Sequence, residues 1–421
     1  MNSKGNVIVA QSGGPTAVIN SSICGVIQEA LKSGKIGRVI GATNGILGVL
    51  EEDLFDISTE KPETIEALKQ TPAAALGSCR YKLKSLKESK TDFERILDVF
   101  GAHNIRYFFY AGGNDSMDTA DKVNKLAAES GYELVCIGIP KTIDNDLALT
   151  DHSPGYGSVA KYVATCAAEA GRDTEALYTT DACTILEVMG RDAGWIAAAT
   201  GLAARRPEDA PHLIYMPEAA FSFDKLVSDV KEVLKDLGRV FIVASEGLKD
   251  EKGEYIATDK GAFDRDSFGH VQLGGAAEML KAVIEKEVGI KARSNKPGTN
   301  QRIAMHFASL TDVKEAYMCG QMAVKAALAG ENGKMITLVR QDGPEYKCKT
   351  GLAELSDVAN GEKKVPAEYI NDKGNHITDA MRDYVRPLVK GEAPITIGED
   401  GLPVFMRFER KRLGKKLPKY L

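Results

Sequence analysis

Apolar residues in this chain gather into short, nearly unbroken runs, and longer stretches with helical character separate them. Asn6-Val7-Ile8-Val9-Ala10-Gln11 is the first run, and residues 17–31 read as a helix after it. Val39-Ile40-Gly41-Ala42-Thr43 is followed by helical residues at 60–70. A helix at about 91–101 leads into Ile105–Tyr110, rich in aromatic residues as strands often are. A helix at about 117–130 precedes the run Glu133-Leu134-Val135-Cys136-Ile137. Further on, helices at about 158–171, 222–236 and 317–328 alternate with strands at 184–189, 213–216, 240–244 and 335–339. Short apolar runs bounded by polar turns fit strands buried on both faces. Their alternation with helices predicts parallel sheets with right-handed crossovers, in one α/β unit up to about residue 150 and a second from about 150 to 300.

In such folds ligands sit outside the carboxyl ends of strands, so the residues at those ends carry the candidate chemistry. The loop Gly138-Ile139-Pro140-Lys141-Thr142-Ile143-Asp144-Asn145-Asp146 puts two carboxylates, an ammonium and a hydroxyl at one strand end. Such crowding shifts pKa values; the plainer reading is a polar loop that caps the next helix. Two glycine turns follow strands: Ser12-Gly13-Gly14-Pro15-Thr16 and Ala111-Gly112-Gly113-Asn114-Asp115-Ser116. Their free N–H groups could face a phosphate. The first is neither a Walker loop nor a full dinucleotide fingerprint, and a tight packing turn explains it equally. The second carries a carboxylate, so Asp115 could hold Mg²⁺, repel a group, or cap the helix. In the second unit, Arg191 and Glu246 stand at strand ends. Arg80 and Lys82 follow small residues, and Arg293, Lys296 and Arg302 surround the turn Pro297-Gly298-Thr299.

Composition changes the picture mainly by exclusion. A net charge of −5 argues against nonspecific binding to nucleic acid or acidic membranes. No apolar run reaches the ~18 residues of a membrane-spanning helix, and residues 1–5 lead straight into a strand, so no signal peptide is expected. Seven scattered cysteines without Cys-x-x-Cys spacing predict neither a disulfide framework nor a zinc site. A reducing cytoplasm is the expected compartment. The charged residues at 248–268 read as an excursion, and the basic tail Arg410-Lys411-Arg412 with Lys415-Lys416 as solvated.

Together these stretches resemble the phosphofructokinase family, from about residue 6 to residue 340, and specifically its pyrophosphate-dependent branch. The most specific part is Pro140-Lys141-Thr142-Ile143-Asp144-Asn145-Asp146; ATP-using members carry glycine in place of Lys141 and typically Gly-Gly-Asp-Gly-Ser in place of Gly112-Gly113-Asn114-Asp115-Ser116. Glu187-Val188-Met189-Gly190-Arg191, Leu76-Gly77-Ser78-Cys79-Arg80 and Gln301-Arg302 match three more family motifs. The resemblance implies two Rossmann-like three-layer α/β/α domains with the active site in the cleft between them. Residues 1–150 plus about 303–345 would form the donor domain and 151–302 the sugar-phosphate domain, with an insertion near 248–292; residues 346–421 would be a C-terminal extension packing on both.

The implied reaction moves a phosphoryl group reversibly from Mg-pyrophosphate to the 1-hydroxyl of fructose 6-phosphate. By the resemblance Asp144 is the general base, Asp146 supports it, Thr142 orients the phosphoryl group and Arg80 stabilises the transition state. Gly14 and Gly113 would admit the donor's phosphates. Asp115 would fill and charge the space that a nucleotide's α-phosphate needs, and Lys141 would hold the shorter inorganic donor. Met189, Gly190, Arg191 and Glu246 would take the sugar, Arg302 its 6-phosphate, and Arg293 would reach that phosphate from a neighbouring subunit. Mg²⁺ would fall to Asn114, Asp115 and Asp146. A homodimer is expected, with a homotetramer as the alternative. The chain departs from the family at Asn114, where most members have aspartate, at Ala182, where many place a subunit-bridging arginine, and at Thr299, which replaces a histidine. An ATP-dependent enzyme and a non-catalytic sugar-phosphate sensor on the same fold are the competing readings.

Overall fold

The computed structural model describes residues 4–84, 88–258, 273–359 and 361–420. Its strands are β1 (Asn6–Gln11), β2 (Val39–Ala42), β3 (Leu54–Asp56), β4 (Ile105–Gly112), β5 (Val135–Pro140), β6 (Cys183–Val188), β7 (Leu213–Tyr215), β8 (Val240–Ser245), β9 (Ala292–Asn295), β10 (Lys334–Arg340) and β11 (Cys348–Glu354). They form two sheets, one ordered β11-β10-β5-β4-β1-β2-β3 and one ordered β7-β8-β6-β9. The pairs β1–β2, β1–β4, β4–β5 and β5–β10 are parallel, while β3 and β11 add antiparallel at the two edges. The smaller sheet is parallel throughout. Helices cover both faces of the central strands, so β1, β4, β5, β6 and β8 are almost wholly buried apolar runs.

The structure extends some of the expected elements. The helix Tyr156–Leu177 runs six residues past its expected end at 171. The helix Leu310–Leu328 begins seven residues before the expected 317, because the Ser309 side chain accepts the Asp312 N–H and caps it. Within the expected excursion and insertion, residues 259–272 lie outside the described residues; residues 276–287 form a helix. The basic tail is docked rather than merely solvated. Arg410 donates to the Ala75 carbonyl, Arg412 pairs with Asp53, and the backbone of Lys416 donates to Glu52. No helix among the described residues is long and apolar enough to cross a membrane, and all seven cysteines are free thiols.

Two helices on the larger sheet touch through glycine. A methyl added at Gly25 would lie 2.2 Å from the Tyr317 carbonyl oxygen, and one at Gly320 would lie 1.9 Å from that of Ser22. The helices Ile19–Ser33 and Leu310–Leu328 therefore approach backbone to backbone. Gly320→Val is expected to destabilise the fold by about 1–3 kcal/mol or more, as overpacking does, and urea unfolding measures it.

After β10 the chain visits both halves. β11 extends the larger sheet, and the helix Leu355–Ala359 follows it. Met381, Tyr384, Val385 and Leu388 join the core of the smaller-sheet half, which also holds Tyr156 and Trp195. Phe408 then returns to pack on Phe55, with ring centroids 5.6 Å apart.

Candidate active site

The strand order brings the three candidate loops to one edge. Gly112 pairs with Pro140 and Ala111 with Gln11, so β1, β4 and β5 end side by side. The loops 12–16, 112–116 and 140–146 leave from there. Gly13 has φ +76°, and a methyl on it would lie 3.0 Å from the Lys141 ammonium. Its N–H donates to the Cys79 carbonyl, and Ser78 Oγ donates to the Gly13 carbonyl, which ties the 77–80 stretch to the first turn. The Lys141 N–H donates to the Gly112 carbonyl, locking the third loop to the second.

These loops and the strand ends of the smaller sheet enclose a cavity of about 620 Å³. From the larger-sheet half Gly14, Arg80, Gly113, Asn114 and Asp115 line it, together with Lys141, Thr142, Asp144 and Asp146 of the catalytic-loop candidate. From the other side come Met189, Arg191, Glu246 and Arg302. Gly190 shapes the turn instead: its φ is +129°, and a side chain there would press on the Ala193 carbonyl at 2.7 Å. Arg302 stands next to the first glycine turn, with a guanidinium nitrogen 3.3 Å from where a Gly14 side chain would begin. Its neighbour Gln301 accepts the Met189 N–H at 3.0 Å. Arg293 does not face the cavity; it pairs with Asp181 beside Lys291.

Burial and mutual charge set the ionisation of the loop. Burial pushes the Asp144 carboxyl well above the usual carboxylate range, and the charges of Asp146 and Glu246 push it the same way, while Lys141 and Arg191 oppose. Asp146 is raised as well, chiefly by burial. Lys141 is only 4% exposed, and its ammonium donates to the Gly14 carbonyl at 2.8 Å. Burial lowers its pKa to about 8; Asp144 and Asp146 work against that, and Arg302 and Arg80 add to it. Glu246 is raised by burial. The result is a cleft with a carboxyl suited to accept a proton and a cluster of cations suited to hold phosphoryl oxygens.

Several lining groups had no assigned role. Lys82 pairs with Asp115 at 3.2 Å. Asp192 lines the cavity and binds Lys249 and Tyr255. Ala359 and Glu362 reach it from the C-terminal extension. Lys82 was visible as a cation after small residues, but nothing near residue 360 hinted at a wall of this cavity.

A phosphofructokinase family model matches residues 6–304. The chain belongs to the phosphofructokinase family. Across its whole length this family member is similar to proteins named pyrophosphate–fructose 6-phosphate 1-phosphotransferase. That of Xanthomonas campestris pv. campestris is 48% identical over 415 residues, covering 98% of each chain. That of Halomonas elongata is 46% identical over 417 residues, covering 99% of each. Among solved structures, the pyrophosphate-dependent phosphofructokinase of Marinobacter aquaeolei superposes with a TM-score of 0.90 at 44% identity, covering 99% of both chains. The phosphofructokinase fold, two α/β halves with the cavity between them, is thus shared over the full chain.

Proposed function

We propose that the protein is a diphosphate–fructose-6-phosphate 1-phosphotransferase. The observation that carries this reading is the buried Lys141 ammonium facing the same cavity as Asp115 and the Asp144 carboxyl. The larger-sheet half would hold pyrophosphate against the loops at 12–16 and 112–116, and the smaller-sheet half would hold the sugar through Met189, Arg191 and Glu246.

In the forward direction Asp144 takes the proton of the sugar's 1-hydroxyl. The oxygen forms a bond to the near phosphorus, the bridging P–O bond of pyrophosphate breaks, and orthophosphate leaves. Phosphoryl transfer asks a protein chiefly for alignment and charge neutralisation. Thr142 Oγ1 accepts the Asp144 N–H at 3.1 Å and so sets the base relative to the phosphoryl group. Arg80 and Lys141 meet the charge that spreads over the transferring oxygens, and Arg302 would pair with the sugar's 6-phosphate. Arginine pairs two oxygens at once, whereas lysine acts as a compact point charge.

Enzymes of this family generally use a divalent metal, and we propose Mg²⁺. The residues present fit it: Asp146 Oδ1 and Asn114 Oδ1 are buried with no hydrogen-bond partner among the described residues, and both residues line the cavity. Oxygen donors of this kind suit Mg²⁺. Asp115, also in the expected set, is paired with Lys82, so Asp146 and Asn114 are the main candidates. A metal held there supplies neutralisation of the donor's phosphate charge. Asp146→Ala is expected to raise the Mg²⁺ concentration at half-maximal rate roughly tenfold or more, since even outer partners of a metal ligand are worth that much; a Mg²⁺ titration of initial rates checks it.

We also propose a homodimer in which Arg293 of one subunit serves the site of its neighbour, because Arg293 lies outside its own cavity. Sedimentation analysis measures the state. The free cysteines suit a reducing cytoplasm.

A coupled assay with fructose 6-phosphate, offering pyrophosphate and ATP in turn, tests the function. Turnover with pyrophosphate is expected. Turnover with ATP alone would make the protein an ATP-dependent kinase, and none with either donor would favour a sensor.

A further inference from the structure

The two loop acids flank an unusual residue. Asn145 is fully buried and has φ +54°, the left-handed region that non-glycine residues seldom occupy. Its side chain is held at every point. Nδ2 donates to the Tyr384 hydroxyl at 2.9 Å. Oδ1 accepts the Ser153 N–H at 3.0 Å and the Lys363 ammonium at 3.3 Å. Two of these three anchors come from residues more than two hundred positions further along the chain.

Lys363 does more than touch Asn145. Its ammonium also donates to the carbonyls of Asp151 at 2.7 Å and Thr150 at 3.1 Å, and its backbone N–H donates to the Asp146 carbonyl at 2.8 Å. On the other side its carbonyl accepts the Trp195 indole N–H at 3.0 Å. Two residues on, the Val365 N–H donates to Glu218, which also accepts the Gly194 N–H. The segment around Lys363 is therefore a strap. It joins the loop of Asp144 and Asp146 to the turn that follows Arg191. Burial pulls the Lys363 pKa down to about 8, with the charges of Asp151 and Asp146 pulling back. An ammonium withdrawn this far from water is costly to keep, and three carbonyl or amide oxygens around it show where it is used.

We propose that Lys363 is a positioning residue for phosphoryl transfer: with Tyr384 it holds Asn145 in its left-handed conformation and so aims the two flanking carboxylates into the cavity. The left-handed residue lies between Asp144 and Asp146 and sets the direction of the chain from one to the other, and both line the cavity. Without the ammonium, Asn145 Oδ1 loses one anchor, and the loop gains access to the commoner backbone regions. The base then spends less time aligned, which lowers the rate of the chemical step more than it weakens binding.

The inference rests on the phosphotransferase reading, and the full-length chain tests it by steady-state kinetics with pyrophosphate and fructose 6-phosphate. Lys363→Met keeps an unbranched side chain one atom shorter and removes its charge and side-chain donors. It is expected to lower kcat roughly 10- to 100-fold, the scale of a small misplacement of reacting groups, while both KM values stay within about threefold. Tyr384→Phe should act in the same direction and more weakly. In an Asn145→Gly background, where glycine supplies the left-handed conformation without a side chain to anchor, adding Lys363→Met should change kcat less than about twofold, the non-additivity of groups acting through one another. Unchanged kcat in a folded Lys363→Met protein overturns the proposal. So does a rise in both KM values at constant kcat, and so do additive effects in the Asn145→Gly background. Should Lys363→Met fail to fold, Tyr384→Phe decides by the same kcat and KM criteria. Absence of turnover in the unaltered protein would count against the phosphotransferase reading instead.

Discussion

Asp144→Ser will lower kcat with pyrophosphate by about 10²–10⁴-fold, the usual contribution of a positioned general base. The environment suits this carboxyl to the role of base proposed for it. It is half-buried beside Asp146 and Glu246, and the loss of water and their charges raise its pKa above the ordinary carboxylate range, while Lys141 and Arg191 keep the rise in check. A carboxylate held so has more affinity for a proton than one in water. Serine keeps a small polar group on the loop but cannot hold the proton of the sugar's hydroxyl. Binding of fructose 6-phosphate should survive, because Met189, Arg191 and Glu246 remain. A second effect follows from the same contacts. Among the charges that keep Lys141 protonated, Asp144 is the largest. Its removal lets the buried ammonium's pKa, already about 8, fall further, so less of it is charged in mildly alkaline buffer. The KM for pyrophosphate should therefore rise with pH in the variant more than in the parent enzyme, while the KM for the sugar does not. Initial-rate kinetics at several pH values check both parts. Normal turnover in the variant removes Asp144 from the mechanism.

The central strands and the loops at their ends were legible from local pattern alone. β1, β4, β5, β6 and β8 are short, mostly apolar runs bounded by turn residues, the pattern of strands buried on both faces. The elements that escaped lack that signature. β3 is three residues long, β9 is mostly polar or exposed, and β11 is an edge strand of half-buried and exposed residues. The start of the helix at Leu310 is set by the Ser309 cap on the Asp312 N–H, whereas the apolar spacing becomes regular only further along. The site divides in the same way. Lys141, Thr142, Asp144 and Asp146 belong to one loop, so their proximity is guaranteed by the chain. The pairing of Lys82 with Asp115 and the wall built by Ala359 and Glu362 depend on how distant segments pack. Asn145 shows the difference most clearly. As a letter it is the middle of a motif, and its left-handed backbone is intelligible only once Tyr384 and Lys363 are seen around it.

The donor preference will move when Asp115 and Lys141 are both replaced by glycine. Two like charges about 4 Å apart repel by about 4 kcal/mol at an effective dielectric of 20, which is nearly three factors of ten in an equilibrium. Lys82, 3.2 Å from Asp115 and half exposed, offsets part of that repulsion, so the proposed exclusion of a nucleotide would be shared between charge and the plain volume of the side chain. Asp115→Gly removes both and releases Lys82 to meet the α-phosphate of ATP. Lys141→Gly acts on the other donor. The ammonium lies 3.0 Å from where a Gly13 side chain would start and donates to the Gly14 carbonyl, at the turn proposed to hold the inorganic donor. Its loss leaves pyrophosphate, with no adenosine to grip, short of one close cation. The ratio of kcat/KM for ATP to that for pyrophosphate should rise about 10²–10³-fold in the double variant, most of it from the loss of pyrophosphate use. Each single variant should give part of the shift: Lys141→Gly through pyrophosphate alone, Asp115→Gly mainly through ATP. Removing a buried side chain at position 141 also leaves a cavity, so a thermal unfolding scan accompanies the kinetics to show that the variants are folded. A folded double variant with the parental donor ratio would mean that neither residue selects the donor.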